Sequence, residues 1–151
     1  MFPSIFDPAN TEAMLTRLEG LSADTTPEWG KMNTGQMLAH LNVAYDITNG
    51  KIPASYNFFM RFMMKLFVKP IVVGRKPYAK NGQTAPVFII EGERDFAAEK
   101  AKLIANMKAT EAEGAAAYEG RVSPSFGKMS SQEWSNQFWK HMDHHFTQFG
   151  V

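Results

Sequence analysis

Between Trp134 and Gln148 the chain carries an apolar stripe spaced 4-3-4-3: Trp134, Phe138, His141, His145 and Gln148. That spacing repeats on one side of an α-helix and on no side of a strand, so this end of the chain is committed to a helix with one buried face. Ser130 and Glu133 form a capping box for its start, and the helix is expected to run to about Phe149. Its unusual content is His141-Met142-Asp143-His144-His145. His141 and His145 are four apart and share the stripe. Two imidazoles aimed into a helical core are costly unless something binds them.

The same period recurs upstream. Asp7 and Pro8 open a first helix as cap and first-turn proline. It is expected to reach about Leu21, with Met14, Leu15, Leu18 and Leu21 on one face. After a loop from Ser22 to Gly30, Asn33 caps a second helix that ends near Asn49-Gly50. Its inward stripe is Met37, His40, Leu41, Ala44 and Ile47, so His40 also faces the core. Lys51 to Tyr56 is a connector. Pro70 to Pro86 is rich in Pro, Gly and Asn and reads as a long irregular connection. Val87 to Ile90 has no evident strand partner and is expected to lie extended on the helices. Asp95 caps a third main helix from Phe96 to about Gly114, and Gly120 to Lys128 reads as a loop. Four long amphipathic helices, one extra short helix and long loops predict an all-α, four-helix bundle over residues 1–151 as a single domain.

Phe58 to about Val68 is the extra helix, and apolar residues continue to Val73. Arg61, Lys65 and Lys69 recur every four residues and Pro70 interrupts the run, so it is too short and too charged to span a bilayer. The expectation is an amphipathic helix packed on the domain with its lysines in water. The alternative is a surface helix that touches anionic lipid or an acidic partner.

Charge and composition remove other classes. Sixteen cations against fifteen acids give no global field that would gather nucleic acid. The absence of cysteine excludes disulfides, thiolate metal sites and a cysteine nucleophile. No phosphate-binding glycine loop and no nucleophile elbow is present. The first residues hold no basic region followed by an apolar run, so no signal peptide is expected and the cytoplasm is the expected location. Glu91, Glu93 and Asp95 read as a solvated loop and a helix cap.

His40, His141 and His145 therefore form the candidate constellation. Neutral imidazole is the commonest metal ligand, and ligands four apart on a helix present two nitrogens at once. Three protein ligands leave a position for water or substrate. The alternative is three core histidines, each hydrogen-bonded or facing a wet cleft, because an unpaired buried polar group costs about 1–3 kcal/mol. His144 lies one position off the stripe and is expected to face away, though it can replace His145 as a ligand. Asp143 is expected to face solvent or a neighbouring subunit. Gln148, one turn beyond His145, can bond a ligand or a water beside it. Trp29 and Trp134 are expected to be loop or core anchors.

Two signatures carry a resemblance. One is Trp29-Gly30-Lys31-Met32-Asn33 with Gln36-Met37-Leu38-Ala39-His40. The other is Phe126-Gly127-Lys128, Glu133-Trp134, His141 to His145 and Gln148-Phe149-Gly150. With them the chain resembles an uncharacterised branch of the DinB-like superfamily. The resemblance implies an up-and-down bundle, often a homodimer, that binds zinc or nickel through His40, His141 and His145. It also implies metal-dependent chemistry on a small-molecule substrate, such as S-transfer with a low-molecular-weight thiol or hydrolysis. The alternative is a non-catalytic, stress-related bundle in which the histidines bind metal for stability or line a ligand cavity. Ser123-Pro124-Ser125 stands where the branch is expected to have a His-Pro pair and an aromatic residue, which points to a different substrate or to lost activity.

Overall fold

The computed structural model describes residues 2–53 and 56–151. The four expected long helices are present. Asp7 accepts from the Ala9 amide and starts α1 (Pro8–Glu19), which stops at Gly20. Leu21 stays in the core just beyond the helix. Asn33 and Gln36 form a reciprocal capping box at the start of α2 (Thr34–Thr48). Such a cap contributes about 1 kcal/mol and fixes the first helical residue.

Twelve of the fifteen residues of α2 are buried, so α2 is the central helix rather than a surface one. Its polar positions find partners on α5 (Phe96–Tyr118): Asn42 Nδ2 donates to Glu99 Oε2 at 2.8 Å, Asn106 Nδ2 donates to Asn42 Oδ1 at 3.0 Å, and Lys102 pairs with Asp46 at 2.6 Å. The last helix, α6 (Ser131–Gln148), has the expected capping box. It buries Trp134, Phe138, Met142 and Phe146 against α1, α2 and α5. Tyr45 of α2 stacks on Phe138 of α6 with ring centres 4.3 Å apart, which holds the two histidine-bearing helices in register.

The structure corrects several boundaries. Gly114, expected to end α5, breaks the helical conformation with φ 74°, and one further turn carries Tyr118 into the core. The segment Gly120 to Lys128 is not only loop. It holds an antiparallel two-residue pair, β1 (Val122–Ser123) and β2 (Gly127–Lys128), joined in register Val122 to Lys128. Gly127 (φ 73°) supplies the left-handed residue this tight hairpin needs. Pro86–Phe88 is a single 3-10 turn rather than extended chain.

The Phe/Met-rich helix departs furthest. It continues past Val68 as α3 (Phe58–Met63), a wide π-helical turn (Met64–Val68) and α4 (Lys69–Val73). Pro70 has no N–H to give to the preceding turn, and a widened turn next to a proline is the ordinary way a helix absorbs that loss. Only Met64, Val72 and Val73 of this stretch pack against the core. The expectation that its apolar face is covered by the domain is not met. Lys140 of α6 ties down the end of α4, donating to the carbonyls of Ile71 at 2.6 Å and Gly74 at 2.9 Å. Among the described residues, no helix is long and apolar enough to cross a membrane.

Candidate metal centre

α2 and α6 bring His40, His141 and His145 together. One ring nitrogen of each lies within 4.8 Å of those of the other two. His40 and His145 are buried and His141 is half-buried. The shared helical face of His141 and His145 sets their ring centres 5.1 Å apart, and His40 reaches them from α2 at 4.8 and 4.6 Å.

The hydrogen bonds around the rings fix where their protons sit. His40 Nδ1 is 2.8 Å from the Phe88 carbonyl. A carbonyl only accepts, so Nδ1 holds the proton and Nε2 keeps a lone pair. Gln148 Nε2 donates to the Trp29 carbonyl at 2.6 Å, which makes its Oε1 the acceptor. That oxygen lies 2.7 Å from His145 Nδ1, so His145 also carries its proton on Nδ1 and presents a bare Nε2. His141 Nε2 lies 2.8 Å from His40 Nε2 and donates to it.

Electrostatics keep the rings neutral. Burial pulls His145 down to about 3, with the neighbouring His40 adding to the shift. Burial, then His40 and His145, take His141 well below its ordinary value. His40 is lowered mainly by burial, against the opposing effect of the Phe88 carbonyl. Neutral imidazole is the form that binds metal.

The donor set fits a divalent ion. Three nitrogens lie close together, two of the rings keep a lone pair on Nε2, and each of those two donates its other N–H to a fixed acceptor, as metal-bound histidines do. Two nitrogens on one tetrahedral zinc stand about 3.3 Å apart, from Zn–N distances of about 2.0–2.1 Å. His141 and His40 would therefore separate by about half an ångström, and His141 would move its proton from Nε2 to Nδ1.

Residues 6–150 match the family described as "Protein of unknown function (DUF1569)". The chain belongs to this family. No curated protein and no solved structure matches it.

Beside the triad, this DUF1569 member has an open groove of about 180 Å³ lined by Trp29, Tyr78, Lys80, Lys140 and His144, among others. His144 faces this groove, off the triad, with its ring 5.0 Å from that of His145 and 5.7 Å from that of Tyr78. Burial lowers it too, opposed by Asp143. Trp29 lines the groove under the Lys80 ammonium, 4.0 Å from the ring centre, while its carbonyl anchors Gln148. Trp134 is core, 1% exposed. Asp143 faces solvent with its side chain 41% exposed, and Arg17 of α1 pairs with it at 2.7 Å. Glu91 and Glu93 are exposed and Asp95 caps α5, as expected.

Ser123 ends β1 and Pro124-Ser125 begin the turn of the hairpin that leads into the first turn of α6. Trp134 in that turn donates to the Arg121 carbonyl and lies about 10 Å along the axis from His141. Sequence reasoning missed Phe88 and Tyr78. Phe88 acts through its carbonyl, which every residue has, and its ring packs edge-on to His141 with centres 5.8 Å apart. Tyr78 lies in the irregular connection, where no periodicity marks a side.

Proposed function

We propose that this chain is a metal-dependent enzyme of small-molecule chemistry, of S-transferase or hydrolase type. His40, His141 and His145 would be ligands to zinc or nickel. The observation that carries the reading is the pair of preset tautomers: Phe88 and Gln148 hold the protons of His40 and His145 on Nδ1 and leave each Nε2 a lone pair, within a cluster of three ring nitrogens no more than 4.8 Å apart. A divalent ion bound there supplies Lewis acidity, lowering the pKa of a bound thiol or water so that its anion forms near neutral pH. The protein's own part is placement. Gln148 orients His145, Phe88 and Tyr78 wall the rings from bulk water, and the groove beside His144 receives the substrate. Lys80 and Lys140 at that groove suit a substrate with an acidic group. Membership of the DinB-like superfamily and homodimerisation are part of the same reading.

One observation favours a second reading, a non-catalytic binding bundle. The His141–His40 hydrogen bond satisfies both rings without an ion. Elemental analysis of protein purified without a histidine tag or metal column is the first test. About one zinc or nickel per chain, lost in His40→Ala, supports the ligand triad, and an exchangeable water on that metal then favours the enzyme over a bundle that binds metal for stability. No metal, and no thermal shift on adding divalent ions, supports the binding bundle.

A further inference from the structure

The helix from Phe58 to Val73 leaves its apolar side in water. Phe58 is 88% exposed, Phe59 69%, Phe62 53% and Phe67 57%, and Met60, Leu66 and Ile71 are exposed as well. At about 200 Å² for a fully exposed aromatic, the four phenylalanines alone leave about 500 Å² bare. That is already as large as the greatest apolar patch on an ordinary monomer.

Charge says what covers it. Between Lys51 and Ile90 lie seven of the chain's sixteen cations and none of its fifteen acids. Arg61, Lys65, Arg75 and Lys76 are exposed and form no ion pair among the described residues. Lys69 is the exception, held by Glu133 at 2.7 Å, which fastens α4 to α6 and leaves the outer end of the helix projecting. Phenylalanines interleaved with unpaired cations on a helix of about 24 Å match the chemistry of a bilayer interface. There the rings enter the acyl boundary and the cations meet headgroup phosphates.

A second copy of the chain fits less well. A two-fold contact through this face would set Arg61 and Lys65 against their own equivalents, with no acid in the segment to neutralise them. The rest of the chain carries nine cations against fifteen acids. That body is repelled from an anionic surface while the helix is drawn to it, so the charge distribution also sets the orientation.

We infer that the Phe58–Val73 helix docks this protein peripherally on an anionic lipid surface. This rests on no part of the metal reading. The test is co-sedimentation of the full chain with vesicles of phosphatidylcholine alone and of phosphatidylcholine mixed with phosphatidylglycerol. Binding is expected only to the mixed vesicles and is weakened by salt. At about fivefold per cation, Arg61→Gln with Lys65→Gln lowers partitioning about 25-fold. Phe58→Ser with Phe62→Ser removes it while the circular dichroism spectrum is unchanged, because both positions are exposed. Failure to bind the mixed vesicles, or equal binding to both kinds, overturns the inference. So does a wild-type dimer, seen by analytical ultracentrifugation, that the phenylalanine variant converts to monomer with no vesicle binding in either.

Discussion

A Cβ on residue 30 would sit 2.5 Å from Gln148 Nε2, so Gly30 and the amide of Gln148 share space that only glycine leaves open. Gly30 also has φ +87°, where a side chain is strained. The Gln148 amide in turn fixes the proton of His145. Gly30 therefore controls a ring that it does not touch.

Gly30→Ala is expected to cost about 1–2 kcal/mol in stability from the left-handed backbone. Gln148→Ala is expected to weaken zinc binding 10- to 100-fold, the usual effect of removing a histidine's outer partner. Because both act through one hydrogen bond, the double variant should bind zinc no more weakly than Gln148→Ala. Competition against a chromophoric chelator measures all three, and additive losses would show that Gly30 acts by another route.

His144→Ala is expected to leave metal stoichiometry intact, since His144 faces the groove. His145→Ala should abolish it, as should His40→Ala. Elemental analysis of the three variants decides between His145 and His144 as the ligand on the last turn.

Metal-free protein should lose stability as the pH falls through about 6.5. His40, His141 and His145 have lowered values in the folded chain, and that of His145 is about 3. Unfolded, each titrates near 6.5. Below that pH the unfolded state binds protons the native state refuses, so the equilibrium shifts toward unfolding until the folded values are reached. For His145 the loss is about 1 kcal/mol between pH 7 and 5.5, and His40 and His141 add to it in the same direction. Urea denaturation in the presence of a chelator reads it directly, and an unchanged midpoint across that range would contradict neutral buried rings.

Lys140→Met should destabilise by about 2 kcal/mol, because the carbonyls of Ile71 and Gly74 lose a charged donor. Burial lowers Lys140 to about 8. The two carbonyls and the Tyr78 face, 4.5 Å from the ammonium, oppose that burial. The loss should appear in thermal melts and be absent from melts of Lys108→Met, at an exposed lysine of α5.

The helices were legible because their information is local. Asp7, Asn33, Asp95 and Ser130 each cap the helix that follows, and the stripe from Trp134 to Gln148 names the buried face of α6. The histidine cluster was legible for the same reason, since i, i+4 spacing and an inward position on α2 leave little choice of direction. What the sequence hid is non-local. The partner of Asp143 is Arg17, 126 residues away, and no spacing rule connects them. The exposure of Phe58 and Phe62 was hidden too, because an amphipathic pattern shows that a face is apolar and not whether anything covers it. The β1–β2 hairpin was missed because two residues per strand are too few to show alternation.

His40 and His145 each take their orientation from a backbone carbonyl on an irregular connection: Phe88 before α5, and Trp29 before α2 by way of Gln148. A protease cut between Tyr78 and Phe88 would leave all three histidines in place on intact helices and still release the acceptor that aims His40. Any metal affinity of the triad would thus depend on chain continuity in stretches that contribute none of its three histidines, and loading the site should in turn slow cleavage there.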